Sequence, residues 1–205
     1  MQIQEALKFI AMVSTDHFIG DIGQPLHVEA VALGGNQISV TCGGSKSNLH
    51  SVWDSGIINK LLVAQYNNSV TTWASALVSR LRTGEYNSLA ASWLSCTSTT
   101  EPLIARRSGS IEDDIATILR RVDDDGDIEP LQCPIVWARD SNSFDCSFVF
   151  NFADKQDLCN STYSVEAIPI IETQVAKQGL RLAAWLNVLF DGVPLTPSSG
   201  IPSPF

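Results

Sequence analysis

His17-Phe18-Ile19-Gly20-Asp21-Ile22-Gly23-Gln24-Pro25-Leu26-His27-Val28 is the stretch on which the reading of this 205-residue chain turns, and Asn48-Leu49-His50-Ser51-Val52-Trp53-Asp54 is its complement. Each carries a histidine and an aspartate four residues apart. In a helix that spacing puts both side chains on one face, about 6 Å apart along the axis, where an imidazole and a carboxylate converge on one cation. Asn48 is suited to cap a helix running through His50, Val52, Trp53, Ile57, Ile58 and Leu61. His27 follows Pro25 in a loop and is free to reach either helix. Neutral imidazole with carboxylate oxygen suits Zn²⁺, and three protein ligands with one position open is a catalytic rather than a structural arrangement. Either pair alone reads as an ordinary ion pair on a helix surface. The chain has only three histidines, His17, His27 and His50, and all of them fall on this pattern, which favours the metal.

The segments around these stretches are mostly helical in pattern. Upstream, helical periodicity runs from Gln2 to Ile22, with Leu7, Ile10 and Val13 on one face, and ends at Gly23-Gln24-Pro25. Gly34-Gly35-Asn36 and Gly43-Gly44 bracket a short β-like piece, Gln37-Ile38-Ser39-Val40-Thr41. Residues 70–82 are helical on Trp73, Leu77, Val78 and Leu81, and 86–94 is a shorter helical candidate. Ser110 caps a helix over Ile111, Ile115, Ile118 and Leu119. The longest pattern spans 164–190, where Pro169 should start or kink the helix and Gly179 weaken its middle. These periods predict a mainly α fold, one helical domain over 1–193, and a disordered Pro/Ser tail over 194–205.

Composition narrows the function classes. The balance of 22 acidic against 13 basic residues gives a net charge of −9, which argues against a nucleic-acid binder that works through a basic patch. No apolar run is long enough to span a membrane. Five cysteines (Cys42, Cys96, Cys133, Cys146, Cys159) contain no Cys-x-x-Cys pair, so a thiolate zinc site is not expected, and the odd count implies a free thiol or a partner outside the chain. Sequons at Asn67 and Asn160 are candidate glycosylation sites, and with the cysteines they lean toward a secreted protein. The start, with Glu5 and Lys8 ahead of the apolar residues, does not read as a signal peptide.

The stretches His17–Val28, Gly34-Gly35-Asn36 and Asn48–Asp54, in that order, closely resemble the signature of the secreted single-strand-specific zinc nucleases of fungi and plants. Pro130-Leu131-Gln132-Cys133-Pro134-Ile135-Val136-Trp137-Ala138-Arg139-Asp140-Ser141 and Ala183-Ala184-Trp185-Leu186-Asn187 resemble later parts of that family. The resemblance implies a mainly α-helical fold, shared with zinc phospholipases C, built around three zinc ions. It makes His17 and Asp21 catalytic residues serving two zincs, with Asp21 bridging, and groups His27 with His50 and Asp54 on another. A water acidified by the metals attacks phosphorus in line, the 3′ oxygen departs, and DNA or RNA is cut to 5′-nucleotides. Single strands or nucleotides would be the partners because a base must enter a pocket that a duplex cannot supply. No membrane association is implied, and a monomer located outside the cell is. The expected zinc charge also removes the conflict with the acidic composition.

Departures from the family pattern set further expectations. No histidine precedes His17, so the upstream ligands of the family are lacking and the chain reads as N-terminally shortened, with one zinc site complete (His27, His50, Asp54) and two half-built. Gly23 stands where the family often has a histidine that is not a ligand. The family partner of Cys146 would lie in the lacking part. A non-catalytic zinc-binding remnant and a phospholipase C-like phosphodiesterase are therefore the competing readings. Asp123-Asp124-Asp125-Gly126-Asp127 is not an EF-hand, since Arg121 and Gln132 would fill its first and last positions. Arg106-Arg107 and Arg120-Arg121 read as surface charge. Trp53, Trp73, Trp93, Trp137 and Trp185 read mainly as core, with one of them a candidate for lining a pocket.

Overall fold

Asn48 caps a helix as its sequence position predicts: its Oδ1 accepts a hydrogen bond from Ser51 N at 2.8 Å. This computed structural model describes residues 17–94 and 132–191. Residues 17–21 are helical, and a 3₁₀ turn follows at Pro25–Val28. An antiparallel hairpin of β1 (Ser39–Cys42) and β2 (Ser45–Asn48) leads into α1 (Leu49–Ser51), a π-helical turn at Val52–Gly56, and α2 (Ile57–Gln65). Next come α3 (Val70–Arg82), a 3₁₀ turn at Asn87–Leu89 and α4 (Ala90–Trp93). In the second described stretch α5 (Gln132–Phe144) runs into a π-helical turn at Asp145–Val149, and α6 (Thr162–Asp191) is the longest helix. The mainly α expectation holds.

Three local features differ from the sequence reading. The hairpin has a second strand, Ser-Lys-Ser-Asn, that no apolar alternation announces. It forms because Gly43 and Gly44 take φ of +61° and +78°, the left-handed pair of a two-residue hairpin turn, and because the Asp157 carboxylate accepts their N–H groups at 2.9 and 2.7 Å. The helix α5 covers a stretch whose sequence shows a family resemblance but no helical period of its own. Its proline, Pro134, falls in the first turn, where the missing N–H has no helical partner to lose. Pro169 does not start α6, which begins at Thr162. It lies in the helix interior, and the carbonyl it deprives belongs to exposed Val165, where water is available.

Two apolar clusters hold the elements. The larger one gathers Leu26, Leu49, Trp53, Ile57 and Leu61 against Val149, Leu158, Tyr163 and Ile171. Trp53 Nε1 donates to Tyr163 Oη at 2.9 Å, and Tyr163 Oη donates to Val149 O at 2.7 Å, so the buried polar atoms are matched. The smaller cluster packs Ile19 and Ile22 against Cys133, Trp137, Leu182 and Trp185, seating the segment of His17 and Asp21 on α5 and α6. A buried carboxylate, Glu172 of α6, ties α2 and α3 to the long helix. It accepts from Tyr66 Oη, Trp73 Nε1 and the Arg80 guanidinium at 2.9, 3.1 and 2.8 Å. Four of the five tryptophans (Trp53, Trp73, Trp93, Trp137) are buried, as the core reading expects.

A disulfide joins Cys42 to Cys159, 117 positions apart, while Cys133 is also disulfide-bonded and Cys146 is an exposed free thiol. Among the described residues no helix is long and apolar enough to cross a membrane. The expected helix before residue 17, the helix capped by Ser110, both arginine pairs, the acidic run at 123–127 and the Pro/Ser tail lie outside the described residues.

Candidate metal centre

Local chain geometry brings the five predicted ligands to one place. His17 and Asp21 share the helical segment 17–21, with His17 Nε2 3.1 Å from Asp21 Oδ2. The chain then turns through Gln24, whose Oε1 accepts from Leu26 N and so caps the 3₁₀ turn that carries His27. The Gln24 amide also donates to Asp54 Oδ1 at 2.9 Å, fastening that turn to the second motif. His27 consequently stands between two carboxylates: its Nε2 is 3.0 Å from Asp54 Oδ1 and its Nδ1 is 3.7 Å from Asp21 Oδ1. His50 Nε2 lies 3.3 Å from Asp54 Oδ2, and the His27 and His50 rings stack at 4.9 Å. The expected i, i+4 pairing of His50 and Asp54 thus survives although Asp54 sits in a π-helical turn, an irregularity frequent at functional sites.

His50 Nδ1 lies 2.7 Å from the carbonyl of Gly34. A carbonyl only accepts, so Nδ1 carries a proton, and Nε2 is the ring nitrogen left facing Asp54 and able to serve a metal. That is how proteins orient imidazoles that bind metals. The carbonyl is aimed by an unusual run, Ala32, Leu33, Gly34 and Gly35, with φ of +50°, +54°, +59° and +78°. Glycine is required at 34, since a Cβ there would stand 2.4 Å from the Leu26 carbonyl oxygen.

The donor set is of a kind that can hold a metal ion. One donor atom from each of His27, His50 and Asp54 lies within 4.8 Å of the others. The two imidazoles face different oxygens of the one carboxylate, His27 Nε2 at 3.0 Å from Oδ1 and His50 Nε2 at 3.3 Å from Oδ2, so Asp54 sits between them as their shared partner. The pair His17 and Asp21 adds two donors beside this group, and Asp21 turns one oxygen to each histidine neighbour. Among the described residues the trio is the one such group of three. A cleft of about 410 Å³ opens from Asp21, His27 and Asp54 along an apolar wall of Ile58, Ile171, Val175 and Leu182. Gly23 borders it against Gln178, whose Cγ would stand 2.3 Å from a Cβ at that position. Of the tryptophans only buried Trp53 borders the cleft.

Sequence reasoning missed the supports of this cluster. The Asn142 amide of α5 donates to Val28 O at 3.2 Å, Glu29 Oε2 at 3.2 Å and Asp145 Oδ2 at 3.0 Å. Asp145 is fully buried and its Oδ1 has no hydrogen-bond partner. Burial, then the nearby charge of Glu29, pushes its carboxyl up to about 7, with the Asn142 bond opposing. The sequon residues Asn67 and Asn160 are both exposed, although Asn160 Oδ1 already accepts from Lys60 Nζ at 2.6 Å.

A mainly helical chain in which two His-x-x-x-Asp turns gather into a cluster able to hold a metal ion is the class that fold and geometry define. Comparison with known proteins narrows it: the chain belongs to the S1/P1 nuclease family, which it matches over residues 1–191. It is similar to Nuclease P1 of Penicillium citrinum, at 35% identity over 89% of this chain and 57% of that protein. It is also similar to Nuclease S1 of Aspergillus oryzae, at 32% identity over 90% and 54%, and to Endonuclease 4 of Arabidopsis thaliana, at 31% over 94% and 52%. The chain spans about half the length of these relatives.

Proposed function

We propose that this chain carries the zinc-binding motifs of a nuclease that hydrolyses single-stranded DNA and RNA to 5′-nucleotides. The observation that carries the reading is the convergence of His27 and His50 on Asp54 with the His50 tautomer fixed by Gly34 O. Relatives named as nucleases support the reaction class. In this reading His27, His50 and Asp54 hold one zinc ion. His17 and Asp21 would help to hold neighbouring ions, Asp21 facing His17 with one oxygen and His27 with the other. Zinc bound there would supply Lewis-acid polarisation of a phosphoryl oxygen and would acidify a water. The protein's own work is positional. Gln24 and Gly34 fix Asp54 and His50, and the cleft along α6 offers an apolar wall to an unpaired base. Secretion and glycosylation at Asn67 and Asn160 belong to the same reading.

Two measurements test it. Zinc titration of the chain should show a tight site that His50→Ala weakens at least 100-fold, and equal affinities would overturn the assignment. Incubation with single-stranded DNA, duplex DNA and phosphatidylcholine should release 5′-phosphorylated products from the single strand, sensitive to a chelator. Because the described residues hold one group of three ligands, a chain that binds zinc without cutting anything is the second reading. Lipid cleavage alone would favour a phospholipase C-like enzyme.

A further inference from the structure

We propose that Asn142 is a positioning residue for the metal centre, holding the segment after His27 so that the Gly34 carbonyl fixes the tautomer of His50. The inference rests on the zinc reading above. His27 is followed by Val28 and Glu29, and the Asn142 amide bridges both, to the Val28 carbonyl and to Glu29 Oε2. The other Glu29 oxygen accepts the N–H groups of Ala30 and Val31 at 2.7 and 2.8 Å, which starts the turn. Four left-handed residues come next, two of them with side chains that disfavour this conformation by about 1–2 kcal/mol each. Such a run persists only when the surrounding structure holds it, and besides its own bonds, such as Gly35 N to Val31 O and Gln37 N to Ala32 O at 3.0 Å, both ends are tied down. Its exit is pinned where Leu49 N donates to Ile38 O at 2.9 Å, beside His50 itself. Its entry is pinned by Glu29 and Asn142.

Two amide hydrogens on Asn142 thus serve three acceptors, and the third, Asp145 Oδ2, orients the amide from the π-helical turn that follows α5. Loss of the donor removes the bonds to Val28 O and Glu29 Oε2 together and leaves Glu29 tied only forward, to Ala30 N and Val31 N. The turn relaxes, the Gly34 carbonyl swings from Nδ1, and His50 is free to carry its proton on Nε2, where it blocks the lone pair meant for metal. Both histidines of the trio are affected, His27 through its neighbour Val28 and His50 through Gly34.

The test uses the full chain with ¹⁵N-labelled histidine, as native protein, Asn142→Ala, Asn142→Asp and the double variant Asn142→Asp with Glu29→Gln. Zinc affinity is read by competition with a coloured chelator, and the His50 tautomer by its ring ¹⁵N signals without metal. Asn142→Ala is expected to weaken zinc by about 10-fold, the low end of the loss seen when a direct partner of a ligand is removed, and to give His50 mixed tautomer signals. Asn142→Asp should do the same or more. The double variant reverses donor and acceptor at one of the two bonds, since the new amide at 29 donates to the new carboxylate at 142 while the Val28 carbonyl still lacks its donor, and should recover part of the affinity lost in Asn142→Asp. Native-like zinc affinity and ring signals in Asn142→Ala, with only a lowered urea midpoint, would overturn the proposal. So would a double variant no better than Asn142→Asp. His50→Ala is the control: if it leaves zinc affinity unchanged, the metal reading fails, and the ring signals still decide the role of Asn142. Should Asn142→Ala not fold, Asn142→Ser, which keeps one donor, carries the comparison.

Discussion

Asp145 shows how a single buried group makes stability depend on pH. Its folded carboxyl titrates at about 7 against an ordinary value of 3.8, because burial and the Glu29 charge oppose ionisation. Below the ordinary value the group is neutral whether folded or not, and its contribution is fully present. Between the two values the unfolded chain gives up the proton and the folded chain keeps it, so stability falls as pH rises, by at most about 1.4 kcal/mol per unit. Asp145→Asn should flatten this part of a profile of urea midpoint against pH from 4 to 8. Parallel profiles for the two proteins would show that the carboxyl ionises freely. The residues that could be read from sequence and those that could not divide on a physical ground. His17 with Asp21 and His50 with Asp54 announce themselves because their partners are one helical turn away. Gln24, Gly34 and Asn142 act on partners 30, 16 and 114 positions distant, and nothing in their own neighbourhood marks them.

Among the elements, α6 does more than its apolar stripe suggests. Glu172 accepts from three side chains of the α2–α3 region, so one carboxylate fixes how those helices sit on the long one. Removing it takes the acceptor from Tyr66 Oη and Trp73 Nε1 and leaves the Arg80 guanidinium with the more distant, exposed Glu85 at 3.7 Å. Arg80 is only 31% exposed, so little solvent relief is at hand. Glu172→Ala is expected to cost about 3 kcal/mol in urea denaturation. A loss under about 1 kcal/mol would mean that the network contributes no more than a surface ion pair. Elements with strong periodicity are legible: the spacing of Trp73, Leu77, Val78 and Leu81 predicts a helix over 70–82, and α3 is Val70–Arg82. The elements missed are those made by partners rather than by pattern. β2 is all polar and exists through its pairing with β1 and through Asp157, and α5 hides behind a proline that its first turn tolerates.

For the whole molecule, the mainly helical architecture and the family were legible, since both follow from motifs and spacings within one stretch. Two features lay beyond reach. The pairing of Cys42 with Cys159 joins the hairpin to the loop before α6, and five cysteines admit too many pairings to select it. The acidic net charge of −9 pointed away from nucleic acid, and the proposed zinc site answers it by placing positive charge locally rather than over the surface. The disulfide closes a loop of 117 positions, so replacing both cysteines by alanine should cost about 3–5 kcal/mol of stability by thermal or urea unfolding. An unchanged midpoint would show that packing alone sets the loop. Gly56 fits against this bond, where a Cβ would stand 2.9 Å from Cys42 Sγ. A protease that nicks the backbone anywhere between Cys42 and Cys159 therefore leaves both pieces in one covalent particle, migrating as intact protein on a gel until a reductant parts them.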